Sequence, residues 1–366
     1  MKTLFTILFA FNCLVYSQPE WAVVPSGTTS NLNAIWGTSP DNIYAVGNGG
    51  VVLHFDGTNW AQMNAGISEN LVSMIGFSAN EIYALSSDAV YKFNGISWSV
   101  FNAAQGGDVI WGTSGNDLYV GGGENNQSGS GFIFYYNGNQ WVKQTTFFGF
   151  NRIRGLNGIS STEVYAGGND GRIYHRKDCN QTGNYTWETT NFSLLADVYG
   201  VWVAGVNDAF CVREFGSAAV YRYTGQLVNG DCYKEVWNEI LYSPSSYDLF
   251  KGILGFSNSK IYVFGSRYRV PAGTTTSLIY EYDGLDWRVM TTQTDSINFR
   301  TIFSLWGPDT SNVFAVGEKG LILKLHGKTS NHFIVNTTAD KPDISPSDGI
   351  CDCGGPLIDD KPEKES

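Results

Sequence analysis

At 366 residues, with 43 glycines, 42% hydrophobic and 14% aromatic side chains, the chain holds enough material for a large packed core, and its composition suits strands and turns better than helices. Only 16% of the residues are charged and the net charge is -11. That excludes nucleic acid as a partner, because such binding depends on Lys and Arg neutralising phosphates.

The first residues read as an export leader. Lys2 supplies a positive start, residues 4–16 are almost wholly apolar, and Val15-Tyr16-Ser17 offers a cleavage site after Ser17. The apolar run is too short to span a bilayer, and nothing later approaches 18 continuous apolar residues, so no integral membrane segment is expected. Residues 1–17 are expected to leave, placing the rest in a secreted, periplasmic or cell-surface setting. Five cysteines then remain: Cys179, Cys211, Cys232, Cys351 and Cys353. An odd number in an oxidising compartment leaves at least one outside an internal bridge.

From Trp21 onward one phrase recurs. In "IWGTSPDNIYAVGNGGVVLHFDGTNW" (residues 35–60) an apolar segment ends near Trp-Gly and a Ser/Pro/Asn/Asp turn follows. A second segment ends in glycine, a third runs to an Asp-Gly turn, and a Trp opens a fourth. Anchored on Trp36, the corresponding positions are Ile75, Trp111, Arg154, Trp202, Leu254 and Trp306, spaced 36 to 52 residues apart. A second series opens the fourth segments: Trp60, Trp98, Trp141, Trp187, Trp237 and Trp287, with Trp21 ahead of the first unit. Four short strands at this period are the mark of propeller blades, and seven anchors give seven blades over residues 18–335. Turns such as "FDGTNW", "FNGISW", "YNGNQW" and "YDGLDW" carry Asp-Gly or Asn-Gly, the strongest short hairpin signal. The fold class is therefore all-β, a seven-bladed propeller of four-stranded antiparallel blades. Its ring can be closed by residues 21–24 as the outer strand of the seventh blade, with "HFIV" (residues 332–335) competing for that place.

These phrases resemble the secreted bacterial propeller repeats of the "IWGSSPNDVYAVG…HYDG…W" type and, more distantly, kelch motifs, with "IYVFGS…LIYEYDGLDW" (residues 261–287) the most kelch-like unit. The resemblance covers about residues 21–333 and implies the fold. Galactose oxidase, a kelch-like propeller, holds copper through clustered histidines and tyrosines, and no such cluster is legible here. Sialidase-type propellers need three convergent arginines. Arg154, Arg213, Arg267, Arg269 and Arg300 are the residues available for that, without a spacing that unites them.

Residues 336–366 change character. The last 28 residues carry four of the ten prolines and eight acidic against three basic side chains, which reads as a flexible acidic tail. Cys351 and Cys353 there are better suited to a disulfide than to a metal. Cys211, in "AFCV", reads as a buried small hydrophobe. Cys179 and Cys232 fall in corresponding loops of successive units and are paired tentatively. His54 and His175 share a strand position held elsewhere by Lys92, Tyr135, Glu281 and Lys324, a variety that reads as solvent-facing. No nucleophile elbow, paired-His motif or phosphate-cradling loop is present, so no catalytic residue, metal site or cofactor is assigned.

Function then falls to loops on a constant scaffold. Connections between blades share a face with the turns that join second and third strands. Four irregular loops lie there: residues 121–131, 243–250, 265–277 and 291–299. They would combine Glu124, Asn125, Asn126, Tyr247, Asp248, Arg267, Tyr268 and Arg269 as ligand-binding residues. The expected function is an exported, non-enzymatic binding or scaffold module for a glycan or a protein. The alternative is a carbohydrate-active hydrolase or lyase using Asp248, Asp295 or Glu124. Oligomeric state is not legible in the sequence.

Overall fold

The computed structural model describes residues 20–101, 106–123, 130–147, 152–169, 171–191, 196–215, 217–228, 232, 234–243, 245, 247–269, 273–290 and 300–326. Residues 1–19, the acidic segment with Cys351 and Cys353, and residues 332–335 lie outside them. The described strands form seven four-stranded antiparallel sheets. The inner strands are Leu32–Ser39, Leu71–Ser78, Val109–Ser114, Ile153–Ser160, Asp197–Gly205, Asp248–Ser257 and Ile302–Asp309. Each touches the next, and the seventh returns to the first, so the sheets close a ring as seven blades. Second strands such as Asn42–Gly47 are buried almost end to end between neighbouring blades, which is why they read as unbroken apolar runs.

Six blades are made of consecutive chain, and the seventh borrows its outer strand from the other end. Glu20–Val23 pairs with Ile322–His326, matching Trp21 to Leu325 and Val23 to Leu323. Trp21 is fully buried against Tyr262, Leu323 and Leu325. A Trp at this depth removes roughly 150–250 Å² from water, an upper bound of about 4–6 kcal/mol.

The Trp-Gly pair has a mechanical meaning that extends from blade to blade. A Cβ placed on Gly37, Gly76, Gly158 or Gly255 would fall less than 3.0 Å from the indole of Trp306, Trp36, Trp111 or Trp202 respectively. The Trp of one blade thus lies on the Gly of the next. Blade four lacks the indole, and there the demand lapses: blade five has Val203 in the glycine's place, opposite Ala209 as Gly37 is opposite Ile43. The same register corrects one anchor. Trp36 stands opposite Tyr44, and in blade four the residue opposite the equivalent Tyr165 is Asn157, not Arg154. Asn157 Oδ1 accepts from the Val203 amide at 2.9 Å, a polar substitute for the missing indole.

A second device recurs inside the blades. The third-strand position holding His54, Lys92, Tyr135, His175, Arg222, Glu281 and Lys324 packs on the aromatic opposite: Tyr44, Tyr83, Tyr119, Tyr165, Phe210, Tyr262 or Phe314. In blades one, two, four, five and six it also meets the polar residue that opens the second strand. His54 contacts Asn42 at 2.7 Å, Lys92 donates to Glu81 at 2.9 Å, and Arg222 donates twice to Asp208 at 2.9 Å. Blade six swaps the signs, pairing Lys260 with Glu281. The variety at this position is therefore matched pairing and not exposure. His175 in particular is buried, 2% exposed, with its ring stacked 3.8 Å from that of Tyr165, which overturns the solvent-facing expectation.

At the outer hairpins one carboxylate or amide oxygen caps two backbone amides. Asp56, Asn94, Asn137 and Asp283 each accept from the second and third residues beyond, at 2.8–3.1 Å. The glycine that follows each has φ between 87° and 102°, which is why Asp-Gly and Asn-Gly recur there.

Candidate functional site

Blade six departs most from the repeat on the face that carries the between-blade connections. Its second strand, Lys260–Arg269, has ten residues where Asn42–Gly47 in blade one has six. The extra length lets the ladder continue through Asp248 opposite Arg267, Arg267 opposite Thr276 and Arg269 opposite Thr274. Asp248 is 1% exposed and fully engaged. It accepts from Arg267 Nε at 2.5 Å and Nη2 at 2.8 Å, from Ser243 Oγ at 2.5 Å and from Tyr280 OH at 3.2 Å. The bond to Asp248 raises Arg267 further above its ordinary value, and burial raises Tyr280.

Directly beyond this buried pair lies an open aromatic one. Tyr247 and Tyr268 are 47% and 42% exposed, with ring centroids 6.2 Å apart, and the Tyr268 amide donates to the Tyr247 carbonyl at 2.9 Å. Arg269 follows, exposed at the end of its strand. Its carbonyl accepts from Gly273, whose φ of 65° turns the hairpin. Five of the eight expected ligand-binding residues, Tyr247, Asp248, Arg267, Tyr268 and Arg269, are thus brought together at one hairpin. Two are half-exposed rings and two form a brace beneath them. Glu124, Asn125, Asn126 and Asp295 lie outside the described residues.

The centre of the same face adds a group that sequence reasoning missed. Six inner strands carry a bulge near their start, which leaves one residue unpaired: Asn33, Val72, Arg154, Tyr199, Lys251 and Phe303. A bulge re-aims its side chain. In blades four to six these side chains meet around the ring. The Tyr199 ring lies under Arg154 at 5.2 Å and under Lys251 at 4.2 Å. Arg154 donates to Asn169 at 3.1 Å and stands 3.8 Å from Asp197, while Lys251 pairs with Glu214 at 2.9 Å. Beside them Arg152 grips Asp108 with bonds of 2.5 and 2.6 Å. Below the cluster a Cβ on Gly155 would lie 3.1 Å from the Cα of Gly200, and one on Gly200 3.0 Å from that of Gly252, so three inner backbones touch. With the blade-four anchor on Asn157 these residues share one column of the repeat, the signal that was available.

The opposite face holds a separate charged cluster and the disulfide. Cys179 and Cys232, in the outer loops of blades four and five, are bonded at 2.06 Å, while Cys211 is free and buried. Next to the bond, Glu235 accepts from Lys177 at 2.9 Å, from Trp237 Nε1 at 3.1 Å and contacts His175 Nδ1 at 2.6 Å. Glu163 lies 3.4 Å from the other ring nitrogen. Burial alone would lower His175, but the two carboxylates outweigh it and hold the imidazole above its ordinary value. Burial likewise pulls Glu163 and Glu235 upward, and their bonds to His175 carry both below the usual carboxylate range.

A shallow depression of about 540 Å³ opens where the ring closes, lined by residues 23–29 with Arg300, Lys319 and Gly320. It shares no residue with the tyrosine hairpin. Among the described residues no group of three or more His, Cys, Asp or Glu side chains is placed to hold a metal ion, and no helix is long and apolar enough to cross a membrane.

No family model and no curated protein sequence matches the chain. Solved structures do. YCF48 bound to D1 peptide matches with a TM-score of 0.60 and 15% identity, covering 87% of this chain and 100% of that one. YCF48 from Cyanidioschyzon merolae gives 0.58 and 14%, covering 84% and 98%. The WD40 β-propeller domain of Doa1 gives 0.62 and 9%, covering 87% and 99%. At these identities the likeness is one of fold, and the fold is that of a β-propeller.

Proposed function

We propose that the chain is an exported, non-enzymatic propeller, akin to secreted bacterial repeat propellers, that binds a polypeptide on the face bearing the tyrosine hairpin. The observation that carries this reading is the pair Tyr247 and Tyr268. Two large rings stand half in solvent, Tyr268 on a lengthened hairpin and Tyr247 at the strand entry beside it, while the Asp248–Arg267 bond fixes their base. Exposed aromatic side chains on a rigid support are what interface anchors require. The cationic and aromatic group of Arg154, Tyr199 and Lys251 extends the same face toward the ring centre and suits a partner that runs along it. A propeller of this fold, YCF48, has been solved with a peptide bound, which supports a polypeptide over a glycan.

The rival, a glycan hydrolase or lyase, needs a free acid on this face. Asp248 is committed to Arg267, Ser243 and Tyr280, so it is poorly suited to that role. The test is to probe the full chain, without its leader, against a peptide array and a glycan array side by side. Peptide binding that falls at least tenfold in a Tyr247→Ala/Tyr268→Ala double variant supports the reading. Silence on the peptide array, or binding indifferent to the double change, overturns it, and glycan-only binding would restore the glycan class.

A further inference from the structure

Arg213 stands where five of the other six blades keep side chains out. Three residues beyond the aromatic of each second strand, blades one, three, four, six and seven have Gly47, Gly122, Gly168, Gly265 and Gly317, and blade two has Ser86. In blades one, six and seven the reason is direct: a Cβ there would collide with the carbonyl oxygen of Asn31, Leu249 or Thr301, where the chain enters the blade. Blade five alone places a guanidinium at this point, in register with Val198 on one side and Ala219 on the other.

That guanidinium is buried without a counter-charge among the described residues. Arg213 is 4% exposed, its Nε is buried with no acceptor among the described residues, and its guanidinium lies over the Tyr221 ring at 5.0 Å. Arg152, Arg154, Arg222, Arg267 and Arg288 each stand beside a carboxylate, whereas no described Asp or Glu comes within ion-pair distance of Arg213. The Tyr221 side chain also hydrogen-bonds Arg213, and its hydroxyl donates to Glu239 at 2.8 Å, so the nearest carboxylate reaches the guanidinium only through a neutral phenol. An uncompensated buried charge is costly, and a cation–π contact offsets only part of the cost. A planar oxyanion is the partner a guanidinium fits best, through two parallel hydrogen bonds.

We propose that Arg213 is an anion-binding site of blade five, its guanidinium receiving a carboxylate-class oxyanion. On the reading above, which this step rests on and deepens, the anion is a carboxylate of the bound polypeptide, and a free small carboxylate satisfies the same chemistry.

The experiment uses the full chain without its leader and measures melting temperature against sodium acetate, with sodium chloride at equal ionic strength as the reference. Acetate at tenfold excess over its Kd is expected to raise the wild-type melting temperature saturably by about 3 °C. Arg213→Gly, the residue found in five other blades, is expected to fold and to lose the response. Arg213→Lys keeps the charge and is expected to bind at least tenfold more weakly. A parallel arm compares an array-selected peptide, free-acid and amidated, on wild type and Arg213→Gly. If only the free-acid peptide loses affinity in the glycine variant, the bound anion is the peptide's own. If acetate responds but the peptide does not, it is a free ion, and the site stands. An acetate response no greater than that to chloride, or equal in Arg213→Gly, overturns the proposal. Peptide binding through Tyr247 and Tyr268 would survive that result, so the two readings fail separately.

Discussion

Blades one and two are close copies, with inner strands of eight residues, second strands of six and third strands of four. Blades five and six have second strands of eight and ten and third strands of eleven and nine. In the first pair the polar side chains of the third strands serve the blade itself, as His54 does for Asn42 and Lys92 for Glu81. In the second pair they reach past it: Cys232 to Cys179 of blade four, Lys251 to Tyr199 and Glu214 of blade five. A repeat propeller thus separates two tasks. Uniform units close the ring, and a few enlarged ones carry interactions that the ring does not need.

The sharpest test of that separation is the bridge between the enlarged blades. Cys179→Ser is expected to cost about 4 kcal/mol, because the bond closes a loop of more than fifty residues in the unfolded chain. Denaturant titration of the variant, against wild type with and without reductant, reads the loss. Were it negligible, blades four and five would be as self-sufficient as blades one and two. Next in size is Arg267→Leu, expected to cost about 3 kcal/mol by leaving Asp248 buried and unpaired. Adding Asp248→Asn should recover part of the loss, and a double-mutant cycle with no coupling would show that the brace is not one unit. On the regular side, Gly76→Ala pushes a methyl into the Trp36 ring and is expected to cost about 2 kcal/mol. The same change made in a Trp36→Asn background, the combination blades four and five show at Asn157 and Val203, should cost under about 1 kcal/mol. Equal costs would break the indole–glycine rule.

The smallest expected effect is a pH profile. His175 is raised above its ordinary 6.5, so the stability it contributes is complete below that value and is lost as pH rises through its folded value. Glu163 and Glu235 are lowered from 4.5, so theirs is complete above that value and is lost as pH falls through their folded values. The cluster therefore supports the fold best between 4.5 and 6.5, and melting temperatures should decline on the alkaline side. His175→Gln should flatten that alkaline limb, and an unchanged slope would remove His175 as its source.

Architecture was legible because a Trp, a glycine and an Asp-Gly turn at a fixed period each answer a steric demand made once per blade. Pairings across blades were harder to read. Arg154 passed for an anchor because Asn157 had replaced the indole, and that shift hid the bulge column containing Tyr199 and Lys251. His175 passed for a surface residue because its partner Glu235 lies in the next blade, sixty residues away. The tyrosine hairpin was found from loop length alone. What length did not reveal is that Asp248 and Arg267 spend their charges on each other.

The strand Glu20–Val23 gives the ring a last step in time as well as in space. Trp21 and Leu325 lie about 300 residues apart, and bringing such distant points together costs about 5 kcal/mol of chain entropy, nearly the whole of what the indole regains on burial. A chain still being synthesised would hold this seam open until its final blade emerged. A pull on the N-terminus of the finished molecule would unzip it there first.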